Sequence, residues 1–241
     1  ITMLVPFSSV EKACEAVSAV FRAGIIPSAL EFIERDAIDW TLKYTDVKLQ
    51  INDDVKAHLL IEVDGNEMDI LYKDCERIFE VMEGFECGEI LLADSESQKN
   101  QIWKLRRAIG EAVKSNSIYK EEDTVVPRAE LAKLLKGVKA IGKDYGFQSV
   151  CYGHAGDGNL HINIIKGEMS DEDWNKKLTL GIREIFELTK KLGGTLSGEH
   201  GIGLVQKDYM DIVFSEKALD LQKGIKNLFD PKGILNPGKI L

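Results

Sequence analysis

Apolar residues recur along this chain with two periods, and the alternation between them sets the expected elements. Residues 2–6 and 28–34 read as short strands, and between them "SSVEKACEAVSAVFRAG" (8–24) has a serine at its start, apolar positions at Ala13, Val17, Val20 and Phe21, and a closing glycine. Those are the signals of a capped amphipathic helix. The succession returns with a strand "AHLLIEVDG" (57–65), a helix over 67–84, a strand "GEILLAD" (88–94) and a long helix from Ser95 to about Ser117. "EDTVVP" reads as a strand, Arg128 to Tyr145 as a helix, and strands flank residues 152–163. Ser170 caps a helix running to Leu192, and Ser215 caps another to Phe229. Strand, helix and strand units with charged outer helix faces predict one α+β domain, an antiparallel or mixed sheet covered by helices.

Composition narrows the class. With 241 residues, 44% of them hydrophobic, the chain can bury a full core in a single domain. Forty acidic against 31 basic residues give a net charge of -9 with no run of five like charges, which argues against nucleic acid as a partner. No apolar run approaches the ~20 residues of a membrane span, so a soluble, cytoplasmic protein without a transmembrane segment is expected. Cysteines 14, 75, 87 and 151 form no C-x-x-C pair and are expected reduced and mostly buried. Neither a G-x-G-x-x-G nor a G-x-x-x-x-G-K-[ST] phosphate loop is present. The chain opens on Ile1, which suggests a removed leader or a piece of something longer.

Candidate chemistry begins at "YGHAGDGNLHIN" (152–163), where two histidines stand seven residues apart around Gly-Asp-Gly. Asp157-Gly158 is a favoured two-residue hairpin turn, a geometry with positive φ at both central positions. Counting outward from it pairs Gly156 with Asn159, Ala155 with Leu160 and His154 with His161. Opposed residues have Cβ atoms roughly 4.5–5.5 Å apart, and the period of two adds Tyr152 and Asn163 to the histidine face. Leu160, Ile162 and Ile164 then face the core. Taken alone, the pair fits a solvated polar face as well as a site.

A second cluster, "GGTLSGEHGIG" (193–203), shifts that balance by setting Glu199 and His200 between glycines that permit close approach of another backbone or a ligand. Two neutral imidazoles and a carboxylate are a common ligand set for zinc and also suit manganese or iron. His200 is then free to move a proton. Asp157 ranks below Glu199 as third ligand because the turn already uses it. In "IWKLRRAIG" (102–110), helix arithmetic turns Ile102, Leu105 and Ile109 inward and leaves Arg106 and Arg107 in solvent. The runs Glu121-Glu122-Asp123 and Lys190-Lys191 read as solvated surface.

At these residues the chain resembles the C-terminal substrate domain of the FAD-linked oxidases of the vanillyl-alcohol oxidase superfamily, in its glycolate oxidase D subunit, D-lactate dehydrogenase and D-2-hydroxyglutarate dehydrogenase group. "PSALEFIE", "LLIEVDG", "IWKLRR", "EDTVVPRAEL", "YGHAGDGNLHIN", "GGTLSGEHGIG" and "FDPKGILNPGKIL" stand in family order over nearly the whole chain. The resemblance implies a ferredoxin-like α+β cap domain over the isoalloxazine ring, with FAD held mainly by an N-terminal domain that this chain lacks. It places a divalent metal (Zn, Mn or Fe) on His154, His161 and Glu199. It makes His200 the base on the substrate hydroxyl and Arg106 the partner of the substrate carboxylate, reversing the solvated reading of that arginine. Asn163 and Glu199 fall close to the flavin and substrate. Gly110 departs from the hydroxyglutarate group, which can carry a hydroxyl residue there, and Lys120 stands as a candidate second basic partner.

The expected activity is oxidation of a small 2-hydroxy acid to the 2-oxo acid with hydride transfer to FAD. The expected partners are the FAD-binding domain, in cis or in trans, and an electron-acceptor subunit through which the enzyme would lie peripheral to a membrane. The alternative is a stand-alone ferredoxin-like module that binds metal or a partner and does no chemistry. A His-His-Glu hydrolase is a third reading, without an obvious oxyanion or phosphate cradle.

Overall fold

Serines set where the helices start. Ser9, Ser95, Ser170 and Ser215 each accept the backbone N–H three residues on, from Lys12, Gln98, Asp173 and Ala218, relieving one of the unpaired donors of each first turn. The computed structural model describes residues 1–93 and 95–241. Its helices are α1 (Val10–Arg22), α2 (Arg35–Tyr44), α3 (Met68–Glu83), α4 (Glu96–Asn116), α5 (Leu131–Tyr145), α6 (Asp171–Lys191), α7 (Met210–Val213) and α8 (Glu216–Phe229). Six of them stand where the periodicity places them, while α2 and the short α7 are additions.

Among the described residues seven strands form one sheet: β1 (Thr2–Phe7), β2 (Ala29–Glu34), β3 (Ala57–Glu62), β4 (Leu91–Ala93), β5 (Tyr119–Val125), β6 (Gln148–Gly153) and β7 (Asn159–Ile165). Their order is β4-β1-β3-β2-β6-β7-β5, and every pairing among the described residues is antiparallel. The expected strand over 88–94 shortens to β4, and Asp94 lies outside the described residues.

The order resolves into two ferredoxin-like units joined edge to edge. The first runs β1-α1-β2-β3-α3-β4 with strand order 4-1-3-2, and α2 is inserted after its second strand. The second runs β5-α5-β6-β7-α6, and its fourth strand is reduced to one bridge between Val125 and Thr195. The seam is short, with only Phe32 opposite Gly153 and Ile33 opposite Tyr152.

One face of the double sheet carries Phe32, Leu59, Ile61, Leu160, Ile162 and Ile164 against helices α1, α3, α5 and α6, and this is the main core. Truncating one such buried side chain to alanine costs about 2–5 kcal/mol. On the opposite face α2 and α4 cover the centre through Ile38, Leu105, Ile109 and Val113, packed on Ile33, Val150 and Tyr152. The rest of that face, over β5, β7 and the end of β6, is where the polar residues converge. All four cysteines are free, and Cys14, Cys75 and Cys151 are buried. No helix among the described residues is long and apolar enough to cross a membrane.

Candidate active site

The hairpin places its histidines by a different turn from the one the sequence predicts. Ala155–Asp157 make a short 3₁₀ turn closed by Gly158 at φ +77, and the N–H groups of Asp157 and Asn159 both donate to the His154 carbonyl. This turn asks only Gly158 for positive φ, whereas the two-residue turn would force Asp157 there as well. The last ladder pair is therefore Tyr152 with His161, not His154 with His161. The register has moved by two residues, and because side chains alternate with a period of two, Tyr152, His161 and Asn163 still share one face. His154 leaves the ladder and tips its ring edge-on to His161, 5.8 Å between centroids.

The glycine-rich segment closes over this face from the edge of β5. After Thr195 bridges Val125, the chain is latched by Asp123: its Oδ2 accepts Ser197 Oγ at 3.0 Å, Glu199 N at 2.8 Å and His200 N at 2.7 Å, and its Oδ1 accepts Asn159 Nδ2 at 2.6 Å. Burial opposes a charge there, yet these donors hold the Asp123 carboxyl below its ordinary value. The run Glu121-Glu122-Asp123 is thus not solvated surface: Glu122 is 0% and Asp123 1% exposed. The strand pairing explains this, since Asp123 lies opposite His161 and Glu122, on the other face, is held by Gln206 at 2.9 Å. Lys190 and Lys191 are exposed, as expected.

The latch brings Glu199 over the two imidazoles. Its Oε1 lies 3.5 Å from His154 Nε2, 3.3 Å from His161 Nε2 and 4.0 Å from His200 Nε2. Two donors bound at ~2.1 Å to one tetrahedral ion are themselves roughly 3.4 Å apart, so Glu199 stands at ligand-to-ligand spacing from each of His154 and His161. Asp123, His161, Glu199 and His200 also offer ligand atoms all within 4.8 Å. Both Asp123 oxygens already accept hydrogen bonds from protein donors.

Burial pushes the His161 imidazole down to about 4, so it is neutral, with a free nitrogen lone pair, near pH 7. Its Nδ1 is buried without a hydrogen-bond partner and faces Glu121 at 3.5 Å and Asp123 at 3.8 Å. That arrangement favours the proton on Nδ1 and leaves Nε2 for a cation. Glu199, His200 and His154 are partly exposed and form the open side of the site. His200 stacks on His161 with 5.1 Å between centroids.

Arg106 contradicts helix arithmetic. It is 9% exposed, with Nε 2.9 Å and Nη2 2.7 Å from Glu31 Oε2 and its guanidinium 5.1 Å from the centre of the Tyr152 ring. Arg107 alone is solvated, its guanidinium beside Trp103. The hydrophobic stripe of α4 is wide enough to carry Arg106 under it because Glu31 supplies the opposite charge. Asn163 forms the floor, donating to the Val150 carbonyl at 3.3 Å and bonded to Tyr152. Lys120, the candidate second basic partner, points to the other face of β5 and pairs with Glu122 at 3.3 Å. A cavity of about 650 Å³ against β1 and residues 86–92 is lined by none of these groups, whereas Glu31 and His154 line one of about 250 Å³ and His200 one of about 610 Å³.

Sequence reasoning missed Glu31 and Asp123. The signal for Glu31 was present, a charged residue alternating with Leu30 and Phe32 in an otherwise buried strand. Asp123 needed the pairing of β5 with β7, which no local pattern reveals.

Comparison with known families decides the lineage of this arrangement. The family model described as FAD linked oxidases, C-terminal domain, matches residues 1–240. The chain belongs to that family. It is similar to a D-lactate dehydrogenase of Anaerostipes hadrus, 31% identical over 100% of this chain and 52% of the relative. It is also similar to glycolate oxidase subunit GlcD of Bacillus subtilis (strain 168), 32% identical over 99% of this chain and 50% of the relative. The chain thus spans about half the length of these curated relatives. Among solved structures, 4-ethylphenol oxidase from Gulosibacter chungangensis shares the fold at a TM-score of 0.68 and 13% identity, covering 99% of this chain and 53% of that one. Membership of the FAD-linked oxidase C-terminal family agrees with the α+β, ferredoxin-like expectation, with the added finding that the ferredoxin-like unit occurs twice.

Proposed function

We propose that this chain is the substrate- and metal-binding part of a flavin-dependent oxidoreductase that oxidises a 2-hydroxy acid of the glycolate or D-lactate type to its 2-oxo acid. The observation that carries the reading is the convergence of His154 and His161 Nε2 on one Glu199 oxygen, at 3.5 and 3.3 Å, close to the buried Arg106. The relatives named above act, by their names, on D-lactate and glycolate.

The donor set fits a divalent cation, zinc, manganese or iron, on His154, His161 and Glu199. The charge balance supports it: Glu31, Asp123 and Glu199 surround the imidazoles, and the one guanidinium among them is already committed to Glu31. A 2-hydroxy acid is an anion and would be repelled by that field without a compensating cation. When bound, the cation acidifies a coordinated hydroxyl and FAD accepts hydride.

The residues of this chain then have separate tasks. Arg106 offers its Nη1 side to the substrate carboxylate while Nε and Nη2 stay on Glu31. His200, at the open mouth, takes the hydroxyl proton on Nε2. Asn163, with Glu199 assigned to the flavin side of the site, acts from beneath Tyr152. Lys120 faces away, and Gly110, where a side chain would begin 3.5 Å from the Tyr152 hydroxyl, offers none, so neither the basic group nor the hydroxyl for a second carboxylate is supplied at these places. That favours a small monocarboxylate over a dicarboxylate.

FAD requires a second domain, in cis or in trans. α8 supports one, since Leu221, Ile225, Leu228 and Phe229 line its length with Leu228 at 75% and Phe229 at 78% exposure, an apolar stripe that this chain does not cover. We place the enzyme in the cytoplasm, with an electron-acceptor subunit able to hold it at a membrane surface. The test is metal and flavin analysis of this chain co-expressed with its flavin domain, followed by a panel of D-2-hydroxy acids. A metal retained through dialysis, lost in Glu199→Gln, with turnover lowered roughly 10²–10⁴-fold in His200→Ala, is the expected result. Full turnover in His200→Ala removes it as base; unchanged metal content in Glu199→Gln removes that ligand. A metal-bearing protein that takes up no flavin points instead to the stand-alone module.

A further inference from the structure

Glu31 sits at a position that neither the motifs nor the strand ladder explains. The β2–β6 seam pairs Ile33 with Tyr152 and Phe32 with Gly153, and one step further along the same register lie Glu31 and His154. The chain does not continue the ladder there, because His154 has turned into the 3₁₀ loop. A side-chain bond takes its place: Glu31 Oε1 lies 2.8 Å from His154 Nδ1. The other oxygen, Oε2, accepts Arg106 Nε at 2.9 Å with Nη2 at 2.7 Å. One buried carboxylate thus ties together the first ferredoxin-like unit, the connecting helix α4 and the hairpin of the second unit.

The chemistry of that contact is directional. An ionised carboxylate only accepts hydrogen bonds, so a neutral His154 bonded to it carries its proton on Nδ1. The lone pair is then on Nε2, the atom 3.5 Å from Glu199 Oε1. The Arg106 guanidinium on the second oxygen, through Nε and Nη2, is the ion-pair geometry of an ionised carboxylate.

We infer that Glu31 is a positioning residue: it fixes His154 in the Nδ1–H tautomer with Nε2 aimed at the cation position, and Arg106 fixes Glu31. The inference rests on the metal-site reading above. Outer carboxylates on ligating histidines raise the basicity and fix the orientation of the ring, and their loss typically weakens metal binding 10–100-fold.

The test uses the flavin-containing enzyme and zinc as the probe, with dissociation constants from competition against a chelator of known affinity. Wild type, Glu31→Gln, His154→Ala and the double variant form a cycle. Glu31→Gln is expected to weaken zinc roughly 10–100-fold in the wild-type background and to change it by less than about 3-fold when His154 is already absent. Zinc affinity within that 3-fold margin in Glu31→Gln alone overturns the inference. So does an equal loss in both backgrounds, which marks a general effect on the fold.

Wild type that binds no zinc, manganese or iron overturns the site reading itself, and the inference with it. A measurement on unsubstituted protein stands apart from any folding defect of the variants: the ¹⁵N shifts of the His154 ring in metal-free enzyme, read at alkaline pH where the ring is neutral. These are expected to report a protonated Nδ1 and an unprotonated Nε2, and the opposite tautomer overturns the inference.

Discussion

Replacing Asp123 by asparagine should unlatch the glycine-rich segment without removing a single atom position from the site. The substitution keeps the shape but exchanges a charge for a dipole. If the introduced carbonyl takes the place of Oδ2, the bonds from Ser197 Oγ, Glu199 N and His200 N fall from charge-assisted to neutral, about 1 kcal/mol each. The introduced amide group then takes the place of Oδ1 and points a donor at the donor Nδ2 of Asn159. Turning Asn159 over repairs that contact but gives up its bond to the Thr124 carbonyl, a further ~1 kcal/mol.

Easier burial of a neutral amide offsets part of the sum, which leaves a loss of roughly 3 kcal/mol. A domain of 5–15 kcal/mol stability survives that, but the segment from Ser197 to Gly201 loses its anchor. The assays are urea denaturation, for the global loss, and amide hydrogen exchange at Glu199 and His200, for the local one. A stability change under about 1 kcal/mol together with unaltered exchange at those two amides would refute the latch.

Three further outcomes follow from named positions. Buried His58, with the Arg35 guanidinium nearby, has its imidazole pushed down to about 4. The unfolded chain therefore binds a proton from about pH 6.5 downward that the folded one refuses until about pH 4, and stability falls across that window by roughly 3 kcal/mol. His58→Leu should flatten this part of a pH series of denaturation midpoints, and an unchanged slope between pH 6.5 and 4 counts against it. Gly158→Ala should destabilise far more than Gly146→Ala: both need positive φ, but a Cβ at Gly158 meets the Val126 carbonyl oxygen at 1.9 Å while one at Gly146 meets nothing within 4 Å. Equal thermal shifts for the two would show that the turn gives way freely. Arg106→Lys keeps the charge but not the two-pronged grip on Glu31, so KM for the hydroxy acid should rise, and an unaltered KM removes Arg106 from the carboxylate site.

The parts of the fold that were legible in the sequence are those fixed by local chemistry. Serine caps and the 3.6-residue stripe located six helices because both signals sit within a few residues of each other. α2 escaped because it lacks the cap: Glu34, the residue before it, makes no side-chain cap and is spent on Lys139 and the Cys151 N–H, and its inward stripe is only Ala37, Ile38 and Thr41. The hairpin was legible in face but not in register, since an even displacement preserves the side on which His161 and Asn163 stand. Asp123 was illegible as a site residue for another reason, and Glu31 showed only as a charge in an apolar strand. Each owes its burial to a strand or helix remote in sequence, β7 for Asp123 and α4 for Glu31, and a charged residue with a distant partner looks locally like a solvated one.

The duplication of the ferredoxin-like unit accounts for the glycines that first drew notice to residues 193–203. In the first unit the fourth strand, β4, pairs with β1 over Thr2, Met3 and Leu4. In the second unit the corresponding strand beside β5 survives as the single Thr195–Val125 bridge, and the chain then departs from strand geometry. Gly198 donates its N–H to the Asp123 carbonyl at a point where any Cβ would sit 2.3 Å from the Asn159 amide nitrogen. A continued strand would have spent the N–H groups of Glu199 and His200 on a ladder and alternated their side chains across the sheet edge. Ending the strand frees both N–H groups for one carboxylate oxygen and lets both side chains swing over the same sheet face, toward His161. The glycine-rich segment is therefore best understood as a fourth strand cut short, and the site occupies the sheet face that this truncation left uncovered.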